Sequence, residues 1–342
     1  MIGIGVVGYG YWGPNLARNF TDLPGASLRA VCDTSEKARE RAVARCPGAK
    51  VVAEARELIA DGSVDAVVVT TPVKIHYEVA RQALEAGKHV LLTKPMTATV
   101  DEAQRLCELA DKHRRVLMVD HTFIYTGAVR KMKELISGGA IGDFLYYDSV
   151  RVNLGLFQTD VNVVWDLAPH DLSILEHLLG EQPVAVSAQG ISHVEGQPEN
   201  MAFVTLFYPG KRIAHVNVNW LAPVKVRQTL IGGSRKMIVY DDMEPSEKVK
   251  VYDRGIELTE VESKPEKIFE LRVSYRSGDM FAPKLDGTEA LRFEALHFLD
   301  CIAKGTRPLS DGQAGLRVVR ALAAASEAMS TGRLVELSAA KK

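Results

Sequence analysis

The first 120 residues alternate short, apolar, often β-branched runs with amphipathic stretches of helical length. The pattern predicts strands near residues 2–8, 27–33, 64–70, 88–93 and 115–120, and helices near 14–22, 35–45, 74–86 and 100–113. Parallel strands joined by helices produce this alternation, so the sequence predicts an N-terminal, doubly wound α/β sheet. In such a sheet, ligands bind at the carboxyl ends of the strands, and candidate functional residues are therefore sought there.

A different pattern begins near residue 143. Alternating runs such as DFLYYDSVRV and RIAHVNVNW predict a large, open, mainly antiparallel sheet, with one helix near 169–180. The chain has 342 residues, enough for two cores. We expect a first domain over residues 1–121 and a second α/β domain over 122–342, with C-terminal helices at 291–330 that pack back on the first domain.

The composition excludes several classes of protein. Lys plus Arg total 42 and Asp plus Glu total 43, a balance that argues against a nucleic-acid partner. No leader pattern or long apolar run predicts export or a membrane span. The four cysteines form no C-x-x-C pair and are expected to be reduced. We therefore expect a cytoplasmic protein that acts on a small molecule.

The segment GVVGYGYWG places Gly8, Gly10 and Gly13 in G-x-G-x-x-G spacing between the first strand and the first helix. In that position the glycines allow a tight turn, a close approach of the backbone to a pyrophosphate, and contact between helix and strand. Tyr11 and Trp12 lie inside the loop and are included among the cofactor contacts. The alternative is that the glycines serve only a tight turn.

Asp33 ends the second predicted strand, 20 residues after Gly13. A carboxylate there can accept hydrogen bonds from the adenosine ribose and repels a 2′-phosphate, and no arginine follows before Arg39. The sequence therefore favours NAD over NADP, although Lys37 is a nearby cation. The alternative is that Asp33 only caps a helix.

Further candidates lie where later strands end. The predicted cofactor contacts there are Thr70, Thr71, Pro72, His76, Thr93, Lys94 and His121. Lys94 is unusual because it follows an apolar strand and precedes a proline, a setting that can desolvate its amine and suit it to proton transfer. Without further information, a lysine that extends from the strand end into solvent is an equal alternative.

The segment WDLAPHDLSIL places Asp166, His170 and Asp171 at the expected start of a helix near Ala168 or Pro169. Histidine suits the removal of a proton from an alcohol because its pKa lies near neutrality. We expect Asp166 to cap the helix, His170 to act in catalysis, and Asp171 to be a first-turn acid favoured by the helix dipole. No metal is expected: His177 is about 10 Å from His170 along a helix, too far for both to bind one ion.

Together, GVVGYGYWG, TPVKIHYEVARQALEAGKHVLLTKP and WDLAPHD resemble the family of glucose-fructose oxidoreductase, inositol dehydrogenase and the rhizopine-catabolism proteins over essentially the whole chain. The resemblance implies an NAD-binding Rossmann domain over 1–121, a substrate and oligomerisation domain over 122–342, and reversible hydride transfer between a sugar or polyol carbon and NAD(P). Within the family the chain is most similar to the nucleotide-sugar 3-dehydrogenases, which implies C3 of a UDP-sugar.

By position, the resemblance assigns catalytic roles to Lys94, Asp166 and His170. We interpret His170 as the proton acceptor, Lys94 as the cation that polarises the substrate oxygen, and Asp166 as the orienting group, although the first two could exchange roles. Thr93 departs from the family pattern, which has a glutamate that meets the nicotinamide ribose. Sugar contacts are expected from Lys94, Tyr125, Arg151, Asn153, Asn162, Trp165, Asp166 and His170, with Arg227 and Arg276 as further candidates for a diphosphate.

Three other functions remain open at this point. The same residues suit an inositol or free-sugar dehydrogenase, or a glycoside hydrolase that oxidises C3 transiently and returns the hydride to the sugar. A dinucleotide sensor without catalysis is disfavoured by the presence of both Lys94 and His170. We also expect a homodimer or homotetramer formed through the C-terminal sheet, because the alternating strands over 200–252 present a broad face.

Overall fold

The computed structural model describes residues 1–155, 161–260 and 271–337. Its first sheet has six parallel strands in the order β3-β2-β1-β4-β5-β6. The strands are β1 Ile2–Val7, β2 Ala26–Cys32, β3 Lys50–Val52, β4 Ala66–Val69, β5 His89–Thr93 and β6 Leu117–Asp120. The helices among them are α1 Gly13–Thr21, α2 Glu36–Arg45, α3 Ala55–Ile59, α4 His76–Glu85 and α5 Val100–His113. The predicted doubly wound sheet is confirmed.

The second sheet has nine strands in the order β14-β13-β12-β11-β7-β10-β9-β8-β15. They are β7 Phe144–Leu154, β8 Ala185–Ile191, β9 Met201–Tyr208, β10 Arg212–Asn219, β11 Leu221–Gly233, β12 Met237–Asp241, β13 Val249–Glu260, β14 Leu271–Phe281 and β15 Val335–Glu336. Only the pairing of β10 with β7 is parallel within the described strands, so the sheet is mixed and mainly antiparallel, as predicted.

Four further helices are α6 Gly127–Ser137, α7 Val163–Leu179, α8 Ala290–Lys304 and α9 Gly312–Thr331. The chain forms two compact units, each with most of its residue contacts within itself. One comprises Met1–Thr126, Leu172–His177 and Gly287–Ala323, and the other Gly127–Asp171, Leu178–Asp286 and Ala324–Lys342. In the first unit, α8 packs on α1 and on the 3₁₀ turn Thr122–Tyr125.

The start of α7 differs from the prediction. The helix begins at Val163, so Pro169 lies inside it and Asp166 lies in its first turn, not ahead of it. Asn162 occupies the capping position: its Oδ1 accepts a hydrogen bond from the backbone N–H of Trp165 at 3.1 Å. The prediction was wrong because proline is commonest at a helix start, whereas here it lies about two turns in.

Candidate active site

The glycine-rich loop forms a cradle between β1 and α1. A Cβ atom on Gly13 would lie 2.1 Å from the carbonyl oxygen of Gly8, and Gly8 itself has φ +98°, so a side chain is excluded at both positions. Thr70 at the end of β4 donates its hydroxyl to the Gly8 carbonyl at 2.6 Å. At Gly10 nothing lies within 4 Å of a built Cβ. The loop is thus closely packed on one side and open at Gly10, a shape that fits a pyrophosphate.

Asp33 is fixed at the end of β2. Its two carboxylate oxygens accept hydrogen bonds from the backbone N–H groups of Tyr9 at 2.6 Å and Ser35 at 2.8 Å. The guanidinium of Arg39 donates to the carbonyl oxygens of Asp33 and Thr34, at 3.0 and 2.8 Å. The carboxylate is therefore held beside the glycine-rich loop, while the nearest following arginine is bonded to backbone. This arrangement fits a ribose with free hydroxyls.

His76 connects the ends of β4 and β5. Its Nε2 lies 2.7 Å from the carbonyl oxygen of Thr71, and its Nδ1 lies 3.0 Å from that of Pro95, which follows a cis peptide bond with Lys94. Thr93 donates its hydroxyl to the Val69 carbonyl at 3.2 Å. Burial lowers the pKa of His76. His76 was expected to contact the cofactor; instead its side chain is buried and braces the two loops.

The end of β6 adds a buried histidine and a buried acid. His121 is 2% exposed, and burial together with the positive charge of Lys94 lowers its pKa to about 3, so its ring is neutral. Asp120, opposite Thr93 in the parallel register, accepts a hydrogen bond at 2.5 Å from the indole N–H of Trp12. Tyr11 stacks on Trp12 and is 90% exposed. The sheet thus brings Trp12, Lys94 and His121 to its carboxyl edge.

Tyr125, an expected sugar contact, has no exposed surface. Its hydroxyl lies 2.8 Å from the hydroxyl of Ser310, and its ring packs against Phe293 and His297. Burial raises its pKa well above the usual range. The prediction is corrected, because the aromatic ring fills the core between the 3₁₀ turn and α8.

On α7, Asp166 and His170 are four residues apart and lie on the same face of the helix. The Asp166 carboxylate accepts a hydrogen bond from the indole N–H of Trp220 at 3.1 Å. The side chain of His170 is half-buried. The two predicted catalytic groups therefore lie together on α7. Trp220, between β10 and β11, holds the Asp166 carboxylate by its hydrogen bond.

Asp171 and Arg151 form a buried ion pair, with their side chains 2% and 4% exposed and Nε 2.5 Å from Oδ2. Two predictions are thereby corrected. Asp171 lies in the middle of α7 and not in its first turn, and Arg151 on β7 is occupied by Asp171 and shielded from solvent. The pair joins the helix to the sheet.

The remaining predicted substrate contacts have mixed outcomes. Asn162 is corrected to a capping residue, and its amide donates to Glu199 at 3.1 Å. Trp165 donates its indole N–H to Ser326 at 2.8 Å, and Asn153 lies half-buried on β7. Arg227 and Arg276 are ion-paired with Asp242 and Asp253.

The structure also shows a buried acid beside the end of β6 that the sequence analysis did not single out. Glu294 on α8 has no exposed surface, and its carboxyl group faces Asp120. The signal was present: Glu294 shares a helical face with Leu291, Ala295 and Phe298, where an acid interrupts an otherwise apolar stripe.

Within the described ranges, no group of three or more His, Cys, Asp or Glu side chains is placed to hold a metal ion. None of the helices in that part of the chain is both long and apolar enough to cross a membrane. The four cysteines are free and buried.

Two family models match the chain: an oxidoreductase family with an NAD-binding Rossmann fold over residues 2–121, and the GFO/IDH/MocA C-terminal domain over residues 129–239. The uncharacterized oxidoreductase YdgJ of Escherichia coli strain K12 is 31% identical over 260 residues, which are 72% of this chain and 73% of YdgJ. The scyllo-inositol 2-dehydrogenase (NADP(+)) IolW of Bacillus subtilis strain 168 is 32% identical over 224 residues, 60% of this chain and 58% of IolW.

Solved structures share the fold over nearly the whole chain. UDP-N-acetylglucosamine 3-dehydrogenase GnnA from Acidithiobacillus ferrooxidans has a TM-score of 0.80 at 24% identity, covering 96% of this chain and 97% of GnnA. Levoglucosan dehydrogenase, solved with NADH and levoglucosan, has a TM-score of 0.82 at 19% identity, covering 99% of this chain and 100% of that one. At these identities the likeness shows a common architecture.

Proposed function

Because the chain belongs to the GFO/IDH/MocA oxidoreductase family, we propose that it transfers a hydride between a secondary alcohol of a sugar, at C3 of a UDP-sugar, and NAD. The observation that carries the proposal is the glycine cradle with the Asp33 carboxylate fixed beside it, on the same sheet whose carboxyl edge holds Lys94. These residues fit a dinucleotide at one end and a reacting alcohol at the other.

Gly8, Gly10 and Gly13 would hold the pyrophosphate, and Asp33 the adenosine ribose. The fixed carboxylate favours NAD, since it would repel a 2′-phosphate. The bound nicotinamide supplies a hydride acceptor in one direction and a hydride donor in the other. The remaining work of the protein is to orient the alcohol and to move its hydroxyl proton.

We assign the proton to His170 and the polarisation of the substrate oxygen to Lys94, two roles that these residues could exchange. Asp166 would orient His170 from one helical turn away, and its bond to Trp220 limits its own rotation. Thr93, whose hydroxyl is bonded to the Val69 carbonyl, leaves a smaller group where the family pattern has glutamate. Asn153 and Trp165 remain the proposed sugar contacts.

One variant pair tests this assignment. We expect His170→Asn and Lys94→Met each to lower kcat by about a hundredfold or more, because each removes a group that handles the proton or the charge of the alcohol. NADH binding by His170→Asn should stay within about twofold of wild type, since His170 is not among the predicted cofactor contacts. A His170→Asn enzyme with near-normal turnover at neutral pH would show that the proton goes elsewhere.

A second candidate is a dehydrogenase of inositol or of a free sugar, favoured by the similarity to IolW. A screen of UDP-, GDP- and dTDP-sugars, inositol and free hexoses with NAD and with NADP, followed by the absorbance of the reduced nicotinamide, separates these functions. Reduction of NAD with UDP-sugars supports the first proposal, and reduction with inositol alone supports the second. Cleavage of an aryl glycoside without net NADH would indicate a hydrolase instead.

We also propose that the chain forms a homodimer or homotetramer through the outer face of the nine-stranded sheet. Tyr146 and Ile213 are register partners on β7 and β10 and are 37% and 42% exposed. Phe203 on the next strand is 37% exposed and stacks on His215. A second copy of the chain would cover these apolar side chains.

A further inference from the structure

Two acidic side chains meet inside the protein at the end of β6. Asp120 is 2% exposed and Glu294 is not exposed at all. Burial and the charge of Asp120 raise the pKa of Glu294 well above its usual range. Glu294 is therefore protonated at neutral pH.

The two carboxyl groups differ in the hydrogen bonds that they accept. The Asp120 carboxylate accepts hydrogen bonds from the Trp12 indole at 2.5 Å, from the Thr122 hydroxyl at 2.5 Å and from the Thr122 backbone N–H at 3.2 Å. Neither carboxyl oxygen of Glu294 has a hydrogen-bond partner in the part of the chain that the structure describes. Asp120 is therefore the hydrogen-bonded member of the pair, and Glu294 is the member whose burial favours the protonated form.

Other ionisable side chains lie on the elements around the pair, among them Lys94, whose positive charge acts on His121. Tyr125, from the turn after β6, is neutral because burial and Glu294 raise its pKa. His121 is neutral, with a pKa of about 3. On α1, Arg18 is paired with Glu289 at the start of α8. The hydrogen bonds from Trp12 and Thr122 help to stabilise the buried Asp120 carboxyl group.

Trp12 is the link between this pair and the cradle. It lies between Gly10 and Gly13 and is 108 residues from Asp120 in sequence. The first half of the loop is held by the bond from the Thr70 hydroxyl to the Gly8 carbonyl, and in the second half the Trp12 indole N–H donates to Asp120. Without Asp120, the indole would lose its fixed orientation beside the open position at Gly10.

We propose that Asp120 is a positioning residue for the cofactor: it holds Trp12, and with it the second half of the glycine-rich loop, against the end of β6. The inference rests on the proposed binding of NAD in the cradle and is independent of the identity of the sugar.

A double-mutant cycle tests the link. NADH is titrated calorimetrically into wild type, Trp12→Phe, Asp120→Asn and the double variant at pH 7. Each single change should weaken binding by roughly tenfold, the effect of one lost hydrogen bond to a charged group. The double variant should bind no more weakly than the weaker single variant, because both changes break the same contact.

Losses that multiply to roughly a hundredfold, or no loss in Trp12→Phe, would overturn the proposal. If Asp120→Asn does not fold, the affinity of Trp12→Phe for NADH decides: an unchanged affinity overturns the proposal. Glu289→Gln is the matched control, since it breaks an exposed contact between α1 and α8 and should leave NADH affinity unchanged. Failure of wild type to bind NADH would instead refute the proposed function.

Two further measurements address the cofactor-free protein and the contribution of Glu294. The emission of Trp12, taken as the difference between proteins with and without that indole, should shift to the red in Asp120→Asn, because the ring becomes more exposed. Glu294→Gln keeps a neutral donor facing Asp120 and should bind NADH within about twofold of wild type. An unshifted Trp12 emission, or a Glu294→Gln loss equal to that of Asp120→Asn, would contradict the proposal.

Discussion

At Glu294, burial determines the state of a single proton, and the consequence is measurable in the stability of the protein. The unfolded chain ionises this side chain near its usual pKa of 4.5, whereas the folded chain keeps it protonated to a much higher pH. Folding at neutral pH therefore requires proton uptake at this residue. The cost is one that a neutral amide of the same shape does not carry.

We predict that Glu294→Gln becomes more stable than wild type as the pH rises. Below pH 4.5 both states hold the proton and the two proteins should differ little. Above it, the contribution of Glu294 falls by about 1.4 kcal/mol per pH unit until the pH passes its raised pKa. Chemical denaturation of both proteins between pH 5 and 8 measures the difference, and a difference that does not grow with pH would show that Glu294 is ionised in the folded state.

Single residues also show how far sequence alone reaches. The positions of Gly8, Gly13 and Asp33 beside the strand ends could be predicted because they depend on backbone geometry near them in the chain. Arg151 and Tyr125 were misread because their partners, Asp171 and Ser310, are 20 and 185 residues away. Residue type indicates what a side chain can do, but its partner depends on tertiary packing.

Among the elements, α7 is the one whose placement matters most, because it carries both Asp166 and His170. The buried pair of Arg151 and Asp171 attaches the helix to β7. Asp171, the residue after His170, is therefore held by a charge-assisted hydrogen bond from Arg151. The rotation of the helix about its axis, and so the direction of His170, depends on this pair.

We predict that Arg151→Met lowers the free energy of unfolding by about 3–5 kcal/mol, because it leaves the charge of Asp171 buried without its partner. Replacing both residues, as in Arg151→Met with Asp171→Leu, should restore most of the stability. Arg18→Met, which breaks an exposed pair, should cost less than about 1 kcal/mol. Denaturation curves compare the three, and a double variant as unstable as the single one would refute the explanation.

A second prediction concerns the glycine-rich loop between β1 and α1. Gly13→Ala should destabilise the fold and abolish NADH binding, because the added Cβ would lie 2.1 Å from the Gly8 carbonyl oxygen. Gly10→Ala should leave the melting temperature unchanged, since nothing lies within 4 Å, while weakening NADH binding by obstructing the pyrophosphate. Gly62→Ala, equally unobstructed and outside the loop, is the control. Normal NADH affinity in Gly10→Ala would place the cofactor elsewhere.

Elements with a long periodic pattern were predicted well, and short ones were not. β3 has three residues and α3 has five, and segments this short do not show a recognisable hydrophobic period. The strand order of the nine-stranded sheet, with β7 next to both β10 and β11, joins segments distant in sequence. Local patterns predict that such strands exist but not which of them pair.

For the whole molecule, the composition and the two patterns of alternation were sufficient to predict two sheets of different kinds. The family resemblance added the NAD-binding role, which the family models support. The assembly that we propose would use the outer face of the large sheet, where Tyr146, Phe203 and Ile213 are exposed. Apolar side chains on an open sheet favour association with a second copy.

We predict that Ile213→Glu dissociates the assembly, because it buries a charge in the proposed interface. Light scattering coupled to gel filtration should show a dimer or tetramer for wild type and a monomer for the variant. Val43→Glu, on α2 at an exposed position of similar character, should leave the mass unchanged. A wild-type monomer would refute the proposed assembly, and an unchanged oligomer in Ile213→Glu would place the interface on another surface.

We propose that this oxidoreductase removes a hydride from C3 of a UDP-sugar. The most direct test supplies UDP-N-acetylglucosamine deuterated at C3 together with NAD, and measures by mass spectrometry where the deuterium goes. We expect the deuterium to appear in the reduced nicotinamide, in proportion to the sugar consumed. Reduced nicotinamide without deuterium would place the chemistry at another carbon, and a sugar that is not oxidised would contradict the claim.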